Sequence, residues 1–440
     1  MNLSLTREWR FLLACAKLQP TDLDREWINQ EYRGFDLDWN RVIQYACQHD
    51  IAPLVHHTMQ RAGLANADSH EAFKKLKALS YGNAIRNTLL YQELETVLLA
   101  LRNRGKSVLV LKGAALAETV YQKHALRPMS DVDLLIKKED LAEIEGLLRK
   151  LGYVFYDQQR TREWYLDNHY HLVFRKQVSA SFTSCLEIHW HLERPILPFP
   201  INIEGVWERA VVARVANVEV LVLSPEDLLL HLCLHTCRHK LTGGFRAFCD
   251  ISETIRQYER DMDWEQVSTR ATEWRIETFV YVVLLLTHEL LGTRVPERLF
   301  DTLRHANFDM ELPAAAGAAV LEDRLSAALF ADFFHLQRGH GFTDRTQVLR
   351  KLFSSTVITE RYGLSPGSMK IYWYYLVRLK DLVVQYGPEL LRFLGRGGQV
   401  LAEADHKSRL ADWLAPFATN DIEKNGEGHA EASEGFTEAV

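Results

Sequence analysis

Apolar residues in the first hundred positions recur at spacings of three and four, as in Trp39, Val42, Ile43 and Ala46, then Leu89, Leu90, Leu94, Leu98 and Leu101. That period gathers them on one stripe of a helix, so the chain is predicted helical to about Arg104. At Ser107 the pattern changes to SVLVLKG, a β-branched run closed by Gly113 and followed by a helix-like AALAETVYQKH. Polar and apolar residues then alternate in DVDLLI, as on a half-buried strand. KKEDLAEIEGLLRKLG is an amphipathic helix with acids near its start, bases near its end and Gly152 as C-cap. Strand-like runs follow at YVFY, HYHLVFRK and CLEIHWHL, then a hairpin at ARVANVEVLVLS. Ser224-Pro225-Glu226-Asp227 is a helix start, with serine as N-cap, proline at the first position and acids in the first turn. The helical pattern runs on to about Leu291, is punctuated by Pro296, Pro313 and Gly317, and returns from Leu321 to about Leu394.

This order predicts an α+β chain with four parts. A helical N-terminal region spans 1–105, a small domain of strands and helices spans 106–223, a helical C-terminal region spans 224–417, and 418–440 form a disordered acidic tail. With 440 residues, 47% of them hydrophobic and 25% charged, the composition excludes a disordered, collagenous or disulfide-scaffold protein. The net charge is −6, of which the tail, with six acids and the single base Lys424, carries −5. The body is therefore nearly neutral, and extended nucleic-acid binding is not favoured. Six cysteines without a Cys-x-x-Cys pair are expected to be reduced, mostly buried thiols of a cytoplasmic protein. The first twenty residues lack a signal-peptide pattern, and the apolar run Phe279–Leu286 is far short of the roughly 20 residues that span a bilayer. It is expected to be a buried helix, with no membrane span.

Asp131 and Asp133 carry the chemistry. Residues i and i+2 of a strand share a face, so the two carboxylates can converge while Val132 enters the core. Like charges at that spacing repel unless they share a proton or bind a cation, and a hard divalent ion bridging phosphates is a natural partner. Glu187, in CLEIHW, also lies between apolar neighbours; if its strand is adjacent, three acids can hold two metals for in-line phosphoryl transfer. Upstream, Lys112-Gly113-Ala114 form a strand-glycine-helix junction where glycine admits a phosphate and the helix N-terminus favours an anion. Lys112 and Arg127 add positive charge against a triphosphate. Ser130 either joins this nucleotide-binding set or caps the turn before the strand.

LKGAAL, RPMSDVDLLI and CLEIHWHL together resemble the motifs of the polymerase-beta-type nucleotidyltransferase superfamily, most closely its bacterial branch of uncharacterised nucleotidyltransferase-family proteins. The leucine-rich run into SVLVLKG and the later PEDLLLHLCLHTCRHK extend the resemblance over roughly Asp38 to Pro296. It implies a mixed-sheet catalytic domain embedded between the helical regions. It also implies two Mg2+ ions, an NTP donor expected to be ATP, and transfer of a nucleoside monophosphate to an acceptor hydroxyl with release of pyrophosphate. By the same resemblance Asp131 and Asp133 are the metal-binding pair, Glu187 the third carboxylate and Gly113 the phosphate-loop glycine. Many members have serine after that glycine, whereas this chain has Ala114. Either Lys112 substitutes, or triphosphate affinity is low and the chain is an inactive nucleotide-binding module; an antitoxin-like or scaffold role is a third alternative. The acceptor, whether small molecule, peptide or RNA, stays unidentified.

Other residues have weaker claims. His231, His235 and His239 form an i, i+4 stripe beside Cys233 and Cys237; a zinc site there is the lesser reading, and a packed helix beside the cleft the greater. On it His235, His239 or Lys240 can touch a phosphate or the acceptor. Arg246 and Asp250, four apart, are expected to pair. His189 and His191 share a face with Glu187, and His189 is either its hydrogen-bonded helper or a structural histidine. The aromatic and basic SMKIYWYYLVRLKDLVVQYG is expected to pack as a C-terminal helix.

Overall fold

A computed structural model describes residues 5–34, 37–64, 71–156, 161–194, 197–241, 244–321, 372–375, 377, 380 and 408–417. Contacts group 1–321 with 412–440 in one compact unit and 322–411 in a second. Of the second, only 372–375, 377, 380 and 408–411 are described; Tyr372 and Trp373 lie on a short helical stretch and are exposed rather than packed. The rest of the helix expected to Leu394, and the tail from 418, lie outside the described residues.

The N-terminal helices are α1 (Arg7–Cys15), α2 (Asp22–Arg33), α3 (Trp39–Gln48) and α4 (Ala52–Met59), leading into the long α5 (Glu71–Arg102). Thr6, Thr21 and Asp38 cap the first three with side-chain oxygens, Thr21 and Asp24 completing a capping box. The sheet region then alternates β1 (Leu109–Val110), α6 (Lys112–Thr119), β2 (Val132–Leu135), α7 (Leu141–Lys150), β3 (Val154–Phe155) and α8 (Arg162–Asn168). It continues through β4 (His171–Ser179), β5 (Phe182–His189), α9 (Ile203–Glu208), β6 (Val211–Val215) and β7 (Val218–Val222). The hairpin between β6 and β7 turns at Ala216 and Asn217, both left-handed at φ 47° and 61°.

Seven strands make one mixed sheet in the order β3-β4-β5-β2-β1-β7-β6. β2 runs parallel to β5 and β1 parallel to β7, while the remaining neighbours are antiparallel. The period-two alternation sorts the faces. Val132, Leu134, Leu186, Ile188, Leu172 and Phe174 enter a core filled by Leu90, Leu94 and Leu98 of α5 and Ile144 and Leu148 of α7. Asp133, Glu187, His189 and His171 therefore fall on the opposite face.

The chain then turns helical through α10 (Pro225–Arg238), α11 (Arg246–Gln257), α12 (Trp264–Glu273), α13 (Glu277–Leu291), α14 (Glu297–Leu303) and α15 (Leu312–Leu321). Ser224 caps α10 as its sequence foretold, and α13 is the buried apolar helix, closed by Gly292 at φ 65°. The start of α10 is fastened by buried Asp227, which receives Arg209 at 2.9 Å and Arg270 at 3.1 Å. Helices α10, α11 and α13 pack on one another, and the N-terminal helices join them: His49 accepts the Phe245 amide at 3.1 Å and Glu253 accepts that of Leu18 at 3.2 Å. Among the described residues no helix is long and apolar enough to cross a membrane.

Candidate active site

Parallel pairing of β2 with β5 sets Asp133 directly opposite Glu187. Asp131 precedes β2 by one residue and, two positions from Asp133, leads onto the same face. The antiparallel pairing of β5 with β4 adds His171 opposite His189. Lys112 arrives from the β1–α6 junction, where its own φ of 39° lies in the left-handed region that L side chains rarely adopt. Its Nζ donates to Asp133 Oδ1 at 2.7 Å. His189 Nε2 lies 3.0 Å from the same oxygen and 3.2 Å from Glu187 Oε2.

Three acids, the Lys112 ammonium and the His189 imidazole thus share one face of the sheet, mostly out of water. Burial favours a protonated Asp133, but Lys112 and His189 outweigh it and hold the carboxyl well below its ordinary range. Burial likewise works against charge on His189, yet its bonds to Asp133 and Glu187 leave it raised. Among the described residues Asp131 has no hydrogen-bonded cation of this kind. Burial, then the charges of Asp133 and Glu187, push it up to about 6, with Lys112 and Arg246 opposing. Mutual repulsion of this kind is what a cation relieves.

The remaining sequence candidates are placed variously. The space a Gly113 side chain would fill is taken by the Arg127 guanidinium, with Met129 packed at 3.1 Å. Arg127 itself is buried against Asp250, its Nη2 donating to Oδ2 at 2.9 Å and its Nε reaching both oxygens at 3.2 Å. Tyr121 completes that carboxylate at 2.8 Å. The pairing expected between Arg246 and Asp250 is thus replaced: Asp250 serves Arg127 and Tyr121 from the sheet region, while Arg246 donates to the Pro128 carbonyl at 2.6 Å. Ala114 is fully buried, its carbonyl accepting from Tyr91 at 2.7 Å. Ser130 is exposed, its carbonyl 3.4 Å from Arg86.

On α10, His231 is buried with neither ring nitrogen hydrogen-bonded, and burial, then Lys112, push it down to about 3. His235 is held well below its usual value by burial and Lys112, and its ring meets that of His239 at 4.4 Å between centroids. Lys240 follows, half-buried and left-handed at φ 53°. Cys233 and Cys237 are buried thiols pushed upward by burial. Among the described residues the His, Cys and acidic side chains whose ligand atoms lie close enough to share a metal are instead His171, Glu187 and His189.

Sequence reasoning missed a row of polar groups on α5. Asn83 donates to the Ala125 carbonyl at 2.7 Å, Arg86 to Met129 at 3.1 Å, and Asn87 to His124 at 2.5 Å and Arg127 at 2.8 Å. They clamp the segment 124–130 that delivers Asp131 and Asp133. Their signal was present as polar residues at positions 83 and 87 of an apolar helical period.

A mixed sheet flanked by helices, with carboxylates matched across two parallel strands beside a strand-glycine-helix junction, defines a domain of the nucleotidyltransferase class. The chain belongs to the family described as uncharacterised nucleotidyltransferase, whose model matches residues 36–292. The resemblance drawn over Asp38 to Pro296 therefore holds. No curated protein matches the chain. Among solved structures it is similar to the antibiotic-resistance factor ANT(2'')-Ia, known in solution, at 14% identity and a TM-score of 0.32, over 46% of this chain and 98% of that one.

Proposed function

We propose that the chain transfers a nucleoside monophosphate from an NTP, ATP first among candidates, to the hydroxyl of an unidentified acceptor. The observation that carries this reading is the register of Asp133 with Glu187, beside an Asp131 that burial and then these two acids push up to about 6. The donor set is all hard oxygen, which suits Mg2+. Asp131, Asp133 and Glu187 are the side chains that would hold it. Bound there, Mg2+ supplies charge neutralisation for the phosphates and a lowered pKa for the attacking hydroxyl. Lys112 contributes a fixed ammonium beside Asp133, and α6 begins at Lys112 with no side chain capping it, which leaves amide donors for a phosphate. His189 holds Asp133 and Glu187 in register as a positioning residue. Six free thiols fit a cytoplasmic setting, where NTPs are supplied.

A second reading, nucleotide binding without transfer, is favoured by one observation: Asp133 Oδ1 already receives both Lys112 and His189. Incubation with each α-labelled NTP, Mg2+ and a cell extract separates the two. Transfer predicts a labelled acceptor and pyrophosphate, lost by at least about a hundredfold in Asp133→Asn with the fold intact. NTP binding without product would leave only the binding module.

A further inference from the structure

The same face of the sheet carries a second donor set, one row beyond the acids. The pairing of β4 with β5 places His171 opposite His189, and Glu187 precedes His189 by two residues on that face. One ligand atom from each of these three side chains lies within 4.8 Å of the others. His189 is 1% exposed and His171 9%. Among the described residues His171 has no hydrogen bond to account for its burial: its Nδ1 is enclosed without a partner, and its Nε2 stands 3.9 Å from Glu187 Oε2, beyond hydrogen-bonding reach. Burying an imidazole nitrogen without a partner costs free energy that a ligand would return.

We propose that His171, His189 and Glu187 form a transition-metal site of the Zn2+ type beside the all-oxygen site at Asp131 and Asp133, sharing Glu187 with it and touching Asp133 through His189. Two imidazoles and one carboxylate are borderline donors that select Zn2+ or its neighbours over Mg2+, and three protein ligands leave a fourth position for water or substrate. Sharing Glu187 couples the two sites. A metal on the histidine side draws that carboxylate away from Asp131 and Asp133, so Zn2+ is expected to lower Mg2+-dependent transfer rather than replace Mg2+. The histidine site stands on its own geometry whether or not the acids perform transfer.

Metal-stripped full-length protein titrated with Co2+ tests it. The expected result is one equivalent bound, with the visible d–d band of a low-coordinate nitrogen and oxygen site, displaced by Zn2+ and not by Mg2+. His171→Ala, or His171→Phe where the space must be filled, should weaken Co2+ binding by at least about tenfold, since even residues supporting a ligand are worth that much. Asp131→Asn should leave the band in place while abolishing any nucleotide transfer. Absence of a band in the folded protein overturns the site, as does unchanged Co2+ affinity in both His171 variants. A band lost in Asp131→Asn but kept in His171→Ala would put the cation among the acids and equally overturn the proposal. Failure of transfer with the band intact counts only against the proposed activity.

Discussion

Gly113 and Arg127 illustrate how two residues chosen for one reason can be held by another. A glycine at a strand-to-helix turn suggests close approach of a phosphate, and an arginine nearby suggests a charge to meet it. In the structure each explains the other. The Arg127 guanidinium occupies the volume a side chain at 113 would need, and it is tied on its far side to Asp250, itself 2% exposed. Removing one partner of a buried pair leaves the other charge uncompensated, which costs about 3–5 kcal/mol. Asp250→Ala should therefore lower the unfolding free energy by that amount, read as a fall in the urea midpoint at unchanged slope. A loss below about 1 kcal/mol would mean that the guanidinium relaxes to solvent easily and is free to serve a ligand. Single-residue chemistry of this sort is not legible in a sequence, because Arg127 and Asp250 lie 123 positions apart.

At the level of elements, α5 does more than cover the sheet. Its buried Asn87 donates to two carbonyls of the segment leading to Asp131, those of His124 and Arg127. Asn87→Ala should cost about 1–3 kcal/mol for the groups left unpaired. It should also depress transfer by more than stability alone explains, since a displacement near 1 Å at a reacting group costs about a hundredfold. The check is kcat at a temperature where circular dichroism shows the variant folded; unaltered kcat would make α5 a passive cover. The element pattern itself was largely legible. Helix starts at Ser224 and the strand around Val132 followed from local capping and period-two alternation, and Asp131, Asp133 and Glu187 stood out as acids among apolar neighbours. Strand partners were not, because parallel pairing of β2 with β5 is set by the crossover between them rather than by either strand. The same blindness hid His171, which becomes interesting only once β4 lies against β5.

For the whole molecule, the histidines dominate the response to acid. His57, His169, His171, His191, His231 and His235 are all shifted down, chiefly by burial, with His57 at about 4 and His231 at about 3. Unfolded, each takes up a proton near pH 6.5, so below that pH the unfolded chain binds more protons and stability falls as pH falls. Each contributes up to about 1.4 kcal/mol per pH unit until its own folded value is reached. Three buried acids among the described residues act oppositely: burial lifts Glu193 to about 7 and raises Glu253, and burial with its neighbouring acids lifts Asp131 to about 6, so each binds a proton in the folded state over a range where the unfolded chain does not. Above pH 6.5 the raised His189 also favours the more acidic side. Among the described residues six lowered histidines against three raised acids give a net loss on acidification, while Glu193 and His189 erode stability as pH climbs past neutrality. Metal-free protein in chelator is therefore expected to be most stable near pH 6.5 and to lose several kcal/mol, on the order of 1–3 per pH unit, on going down to pH 5. Urea midpoints measured across pH 5 to 8 check this. A midpoint flat from pH 6.5 to 5 would mean that the buried imidazoles are already charged or solvated, which the packing of His171 and His231 does not allow.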